Sequence, residues 1–271
     1  MLRGRICLLG LLVVLCFGSI ALASQEITMT GSSTVHPIAQ PTAEAFMDLH
    51  PDVNVTVRGG GSGTGITALI DGITDIANSS RWIRLSEVET ALSNGIYPVP
   101  HRVAMDGIAV IVHPSNPVDS LTLDQIKDIY TGKVKNWSEL GGANLPIVVM
   151  SRESSSGTYE VWGEIALQGE RLAPTALLRA SSGALAQDVA ETRGAIGYVG
   201  LGYLNDSLKA LAVNGVLPSN STVVSGAYPV ARPLFMFTDG WPEGITSQYI
   251  NFVLSAEGQA IVGAQGFVPL F

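Results

Sequence analysis

Cysteine is almost absent from this 271-residue chain: its two copies, Cys7 and Cys16, both fall within the first 23 residues. The remainder therefore has no disulfide, no thiolate metal site and no cysteine nucleophile. Positive charge is scarce as well, with 15 Lys and Arg against 23 Asp and Glu and a net charge of −8. That balance excludes a nucleic-acid partner held by a basic surface. The four histidines, His36, His50, His101 and His113, are scattered and lack any metal-ligand spacing, so neither a metal nor a cofactor is expected. No Gly-Lys-Ser/Thr follows a glycine-rich turn, which removes a nucleotide phosphate loop. Ser62 and Ser156 lack the paired glycines of a nucleophile elbow and have no evident His/Asp partners, which leaves a secreted phosphoesterase as the weakest reading.

The chain opens with a targeting pattern. Arg3 and Arg5 precede a nearly continuous apolar run from Ile6 to Ile20, and Ala21-Leu22-Ala23 has the small-x-small form of a cleavage site. Residues 1–23 are expected to be a signal peptide; an uncleaved N-terminal anchor is the alternative. Leu15 is bulky where a lipoprotein signal needs a small residue, which argues against lipidation at Cys16. Without Arg3 and Arg5 the exported chain carries 13 basic and 23 acidic residues, a net charge of −10. Any anion it binds must be held by a local, preorganised site, because the overall field opposes it.

After the signal the pattern alternates between strand and helix. Ile27–Met29, Val53–Val57, Ile76–Ala77, Gly107–His113, Pro146–Met150, Ala195–Val199 and Leu234–Phe237 read as strands. Pro37–Leu49, Gly65–Asp71, Ser86–Ser93 with Ser86 as its cap, Leu123–Tyr130 after the Thr122 cap, Tyr159–Leu167, Ala184–Glu191, Ser247–Leu254 and Glu257–Val262 read as helices. The class is α/β with mostly parallel sheets.

Ser-Gly-Thr occurs twice, each time between a strand and a helix: Ser62-Gly63-Thr64 follows Gly59, Gly60 and Gly61, and Ser156-Gly157-Thr158 follows Ser151-Arg152. Thr30-Gly31-Ser32-Ser33-Thr34 forms a third junction of this kind. Helix starts present unpaired N–H groups and the positive end of the dipole, and glycine lets the backbone approach a ligand. One such loop alone is a capped turn. Three converging loops would hold a small tetrahedral oxyanion. Arg152 either pairs on the surface with a carboxylate such as Glu153 or forks onto two oxyanion oxygens.

These segments, with Asp75-Ile76-Ala77-Asn78-Ser79-Ser80-Arg81, Asp106-Gly107-Ile108-Ala109-Val110, Tyr130-Thr131-Gly132-Lys133, Gly194-Ala195-Ile196-Gly197-Tyr198 and Gly266-Phe267-Val268-Pro269, resemble the phosphate-binding proteins of ABC phosphate importers across essentially the whole exported chain. The resemblance implies a two-lobed periplasmic-binding-protein fold with the ligand in the interlobe cleft. Residues 24–106 and the return segment 228–271 would form lobe 1, and residues 107–227 lobe 2. It implies that phosphate is held by Ser32, Ser33, Thr34, Ser62, Ser80, Arg152, Ser156, Gly157 and Thr158. Some members carry an aspartate where Ser80 stands, as acceptor of the phosphate proton. Here Asp106 is the candidate acceptor, with a serine oxygen or a backbone carbonyl, or Asp106 only caps a turn before Gly107. The implied protein is not an enzyme. It is an exported monomer at the periplasmic or extracytoplasmic face, whose partners are inorganic phosphate and an ABC permease, and it meets the membrane only through that permease or an uncleaved anchor. The same fold binding sulfate, molybdate or tungstate is the alternative.

Overall fold

A computed structural model describes residues 25–271; the signal-peptide expectation lies outside them. The first alternating run is β1 (Gln25–Gly31), α1 (His36–Leu49), β2 (Val53–Arg58), α2 (Ser62–Ile70), β3 (Ile76–Ser79) and α3 (Leu85–Ser93). The middle of the chain contains β4 (Pro98–Val112), β5 (Ser120–Leu121), α4 (Leu123–Tyr130), β6 (Val148–Arg152), α5 (Gly157–Ile165), β7 (Leu177–Arg179), α6 (Ser182–Glu191), β8 (Ala195–Gly200), β9 (Lys209–Val213) and α7 (Asn220–Val224). The last elements are β10 (Ala231–Asp239), α8 (Gly244–Val253) and α9 (Ala256–Ala264).

The strands follow the order β2-β1-β3-β10-β4-β8-β6-β7, with β9 also on β4 and β5 on β9. β1 pairs in parallel with β2 and β3, and β6 pairs in parallel with β7 and β8. Every antiparallel pairing involves β4 or β10. β4 is the joint between the two halves. Its first part, up to Gly107, pairs with β10, and from Ile108 onward it pairs with β8. Two separate cores flank this exchange. One contains Ile27, Met29, Ile38, Phe46, Leu234 and Phe267. The other contains Ile108, Val110, Trp137, Trp162, Tyr198 and Tyr228, with the Trp162 and Tyr198 rings stacked at 4.4 Å. This is the expected two-lobed α/β architecture, because each half-sheet buries its own apolar face and β4 alone pairs in both.

Local chemistry sets most helix starts. Thr122 Oγ1 accepts from Gln125 N at 3.1 Å while the Gln125 side chain accepts from Thr122 N at 2.8 Å, a reciprocal cap. Ser86 is not the cap of α3: that helix starts at Leu85, and Glu87 accepts from the Arg84 backbone N–H at 2.9 Å. α2, α5 and α6 begin two or three residues earlier than their apolar periodicity suggests. Their Ser, Gly and Thr residues are themselves the first helical turn, so their backbone donors lie at the helix mouth. β4 is also longer than its apolar run, because Pro98–Asp106 is a mixed-polarity strand that only pairing with β10 makes regular.

Candidate functional site

The site is assembled at the ends of strands. β1 ends at Gly31, whose φ is +142° and where any Cβ would run into the Asn78 carbonyl. Glycine at that point lets the ends of β1 and β3 abut, and Ser32 N donates to Asn78 O at 2.8 Å. Gly61, at φ +100°, donates to Gly31 O at 3.0 Å and turns the chain into α2 at Ser62. Ser80, just past β3, donates from its backbone N–H to Ser62 Oγ at 3.0 Å.

The second lobe supplies the opposing wall. Ser156 caps α5 by accepting from Tyr159 N at 3.3 Å, and Gly157 and Thr158 form the first turn. Thr158 Oγ1 lies 2.8 Å from Thr34 Oγ1, across the cleft. A Cβ at Gly157 would come within 2.9 Å of both Arg81 Cγ and Ser62 Cβ, so α5 docks on α2 only because that Cβ is missing. Ser32, Ser33, Thr34, Ser62, Ser80, Arg152, Ser156 and Thr158 are all buried. The structure thus brings every site residue expected on the loops into one connected cluster.

Arg152 lies at the end of β6, is 1% exposed and does not pair with Glu153 on the surface. Its Nε donates to Arg179 O at 3.0 Å, Nη2 to Ala180 O at 2.9 Å and Nη1 to Ser182 Oγ at 2.7 Å. A guanidinium has five N–H donors, so one on each terminal nitrogen is left for a ligand. Burial lowers the Arg152 pKa from its ordinary value, and the nearby Arg232 adds to the strain.

Two residues of the cluster lie outside the three loops read from the sequence. Ser182 starts α6 and bridges the lobes: Ser33 Oγ lies 3.3 Å and Thr34 Oγ1 3.4 Å from Ser182 Oγ. The Ser181-Ser182-Gly183 sequence repeats the hydroxyl–glycine helix start and was the available clue. Arg232, on β10, is 3% exposed; its Nη1 donates to Ser80 O at 3.0 Å and its Nη2 sits 3.5 Å from Thr34 Oγ1. Only tertiary pairing places it there, since Arg232 is the register partner of Asp106.

Asp106 lies inside β4 rather than in a turn. Its Oδ2 accepts from Arg232 Nε at 3.2 Å and Nη2 at 3.0 Å, and its Oδ1 accepts from Leu201 N at 2.9 Å. Burial pushes the Asp106 pKa up, against the pull of Arg232 and the backbone N–H groups. Two buried guanidiniums, of Arg152 and Arg232, therefore face this cluster with one buried carboxylate, Asp106, paired with Arg232. The remaining positive charge is costly without an anion.

A second set of charges spans the cleft beside this cluster. Glu160, on α5, reaches Arg81 Nε at 2.9 Å and Arg84 Nη2 at 2.7 Å, while Arg81 also pairs with Glu87 at 2.7 Å. Ser155 O accepts from Gly63 N at 2.9 Å nearby. Among the described residues no group of three or more His, Cys, Asp or Glu is placed to hold a metal, and no helix is long and apolar enough to cross a membrane.

Known proteins share this construction. The PBP superfamily domain matches residues 19–257. The phosphate-binding protein PstS of Bacillus subtilis (strain 168) is 36% identical over 250 residues, covering 92% of this chain and 82% of that protein. The PstS of Pseudomonas aeruginosa (strain PAO1) is 29% identical over 270 residues, covering 91% of this chain and 84% of that protein. A Clostridium perfringens protein whose crystal structure contains bound phosphate superposes with a TM-score of 0.84 at 37% identity, covering 91% of this chain and all of that one. An ABC-type phosphate transport receptor from Vibrio cholerae superposes with a TM-score of 0.73 at 30% identity, covering 89% of this chain and 99% of that one. Matched along nearly its whole length in both sequence and fold, the chain belongs to the PstS family of phosphate-binding proteins within the PBP superfamily.

Proposed function

We infer that this protein is an exported, non-enzymatic receptor that captures inorganic phosphate and delivers it to an ABC-type membrane permease. The observation that carries the reading is the convergence of hydroxyl-bearing loops and helix starts from both lobes around two buried guanidiniums balanced by one carboxylate. A bound phosphate is held by Ser32, Ser33, Thr34, Ser62 and Ser80 from one side and by Arg152, Ser156, Gly157 and Thr158 from the other. Neutral dipoles supply most of the donors and Arg152 supplies a fork. Each charge-assisted hydrogen bond contributes roughly 1.5–3 kcal/mol.

The lobes are residues 24–106 with 228–271, and 107–227, and they move about the chain crossings near Asp106–Ile108 and Tyr228–Val230. The donor set is complete only when they meet, so ligand favours the closed state through contacts that the open state lacks. That closed form is what the permease reads. The site is built within one chain, consistent with a monomer acting outside the cytoplasm; the N-terminal segment is removed on export.

Arg152→Ala is expected to weaken phosphate binding more than tenfold, about 1.4 kcal/mol or more, with the fold intact. Calorimetric titration with phosphate, arsenate, sulfate and molybdate measures both this loss and the choice of oxyanion. Unchanged phosphate affinity in the variant, or preference for another oxyanion by the unaltered protein, would reject the reading.

Asp106 as acceptor of the phosphate proton is a separate matter. Both of its oxygens have donors, and it reaches Thr34 and Ser80 through Arg232. This geometry favours a counterion to Arg232 over a direct acceptor. If Asp106 did accept the proton, Asp106→Asn would lose phosphate affinity and gain on sulfate.

A further inference from the structure

We propose that Arg232 is a positioning residue of the anion site, a second guanidinium that makes the Thr34 hydroxyl a donor toward the bound oxyanion and pins the Ser80 segment. The proposal rests on the reading of the cluster as an oxyanion site and deepens it.

Three observations carry it. First, Arg232 reaches both halves of the lobe 1 wall at once: Nη2 lies 3.5 Å from Thr34 Oγ1, and Nη1 donates to Ser80 O at 3.0 Å. Secondly, a hydroxyl has one proton and two lone pairs. With an arginine N–H directed at its oxygen, Thr34 must send its own proton elsewhere. In the closed, ligand-free arrangement that direction leads to Thr158 Oγ1 at 2.8 Å or Ser182 Oγ at 3.4 Å, the opposite wall of the cleft. An oxyanion between the walls takes that proton instead. Thirdly, Asp106 stands behind the guanidinium, with Oδ2 on Arg232 and Oδ1 on Leu201 N. The pair therefore forms a buried dipole whose positive end contacts the site loops. Arg232 lies one residue inside β10, beside the point at which β4 exchanges partners, so the same side chain also ties the site loops to the strands that join the lobes.

The comparison of Asp106→Asn with Asp106→Asn/Arg232→Met isolates the guanidinium, because neither variant carries the buried carboxylate. The double variant is expected to bind phosphate at least tenfold more weakly than Asp106→Asn, with melting temperatures within a few degrees. The loss should be larger at pH 8, where the phosphate dianion predominates, than at pH 6, because a lost cationic donor penalises the dianion more. A packing lesion would penalise both pH values equally. Arg152 on β6 and Tyr198 on β8 face Arg232; Arg81, Arg84, Glu160 and Glu164 line the same cavity as its side chain; and Tyr203 and Tyr228 face Asp106. Burial holds Tyr198 and Tyr203 up at about 12 and moves Tyr228 up as well, so no tyrosine titrates across that interval. Equal phosphate affinity in the two variants, or an equal loss at both pH values, overturns the proposal. If either variant fails to fold, Arg232→Lys keeps the charge opposite Asp106 but removes donors. A several-fold loss of affinity is then expected, and wild-type affinity overturns the proposal. Failure of Arg152→Ala to weaken binding would instead reject the site reading itself, so the two failures are distinguishable.

Discussion

At the scale of single residues, the site depends on what is missing as much as on what is present. Gly157 has no side chain, and the space that a Cβ would need is occupied by Ser62 and Arg81 of the other lobe. Gly157→Ala should therefore leave each lobe folded but hold them apart. An overpacked contact of this kind costs about 1–3 kcal/mol, which predicts a loss of phosphate affinity of roughly tenfold or more with little change in the melting temperature of the ligand-free protein. Titration calorimetry beside thermal denaturation separates the two quantities; equal affinity would show that α5 and α2 do not dock in solution as they do here. Arg152 shows the complementary logic. Three of its donors are fixed by Arg179 O, Ala180 O and Ser182 Oγ, so the rest are aimed before a ligand arrives.

At the scale of elements, the first turns of α2, α5 and α6 do different work from that of α4. The α4 start is closed by its Thr122–Gln125 cap, and Leu123 N donates to Asn214 Oδ1 rather than to the hydroxyl cluster. Thr122→Ala should lower stability by about 1 kcal/mol and leave phosphate binding unchanged, as read by denaturant titration and calorimetry. α5 also carries Glu160, which joins Arg81 and Arg84 across the cleft. Glu160→Gln removes a charge pairing between the two lobes, and the expected effect is about 1 kcal/mol, roughly a fivefold weaker affinity, with little change in the stability of the ligand-free protein. Its neighbour Glu87 is subject to opposing influences. Burial raises its pKa, but the hydrogen bonds from Arg81 and the Arg84 N–H outweigh this and hold it below the ordinary 4.5. A carboxylate with a depressed folded pKa stabilises the fold above its unfolded pKa and loses that contribution as pH falls through the folded value. The wild-type melting temperature should thus fall more steeply below pH 4.5 than that of Glu87→Gln. Parallel acid profiles would remove Glu87 from the stability of this corner.

At the scale of the whole molecule, β4 is the strand that pairs in both half-sheets, and its pairing exchange at Gly107 and Ile108 is where the two cores join. A joint made of β4 and the return of the chain at Val230, whose carbonyl accepts from Ile108 N at 2.8 Å, bends more easily than either core deforms, so closure is expected as a rigid-body motion. Small-angle scattering with saturating phosphate should show a more compact particle than the ligand-free protein. Identical profiles would indicate a site that is closed throughout.

The sequence alone determined the class, the alternation of elements and the loops of the site, because these are written locally. Apolar periodicity marks strands and helices, and Ser-Gly-Thr at a helix start specifies open backbone donors wherever it occurs. Leu123–Tyr130 with its Thr122 cap matches α4 residue for residue for the same reason. Tertiary structure decided what depends on distant segments meeting. Arg232 is 126 residues from Asp106 along the chain, and nothing in Val230-Ala231-Arg232-Pro233 marks it as part of the site until β10 lies beside β4. Pro98–Asp106 becomes a strand through that same pairing. Ser182 belongs to the cluster only because α6 points its first turn at Thr34, from another lobe. A chain of local signals can name the donors of an anion site, but the counter-charges that tune it are set by packing, since burial and distance decide the energy of a charge and neither is a local property.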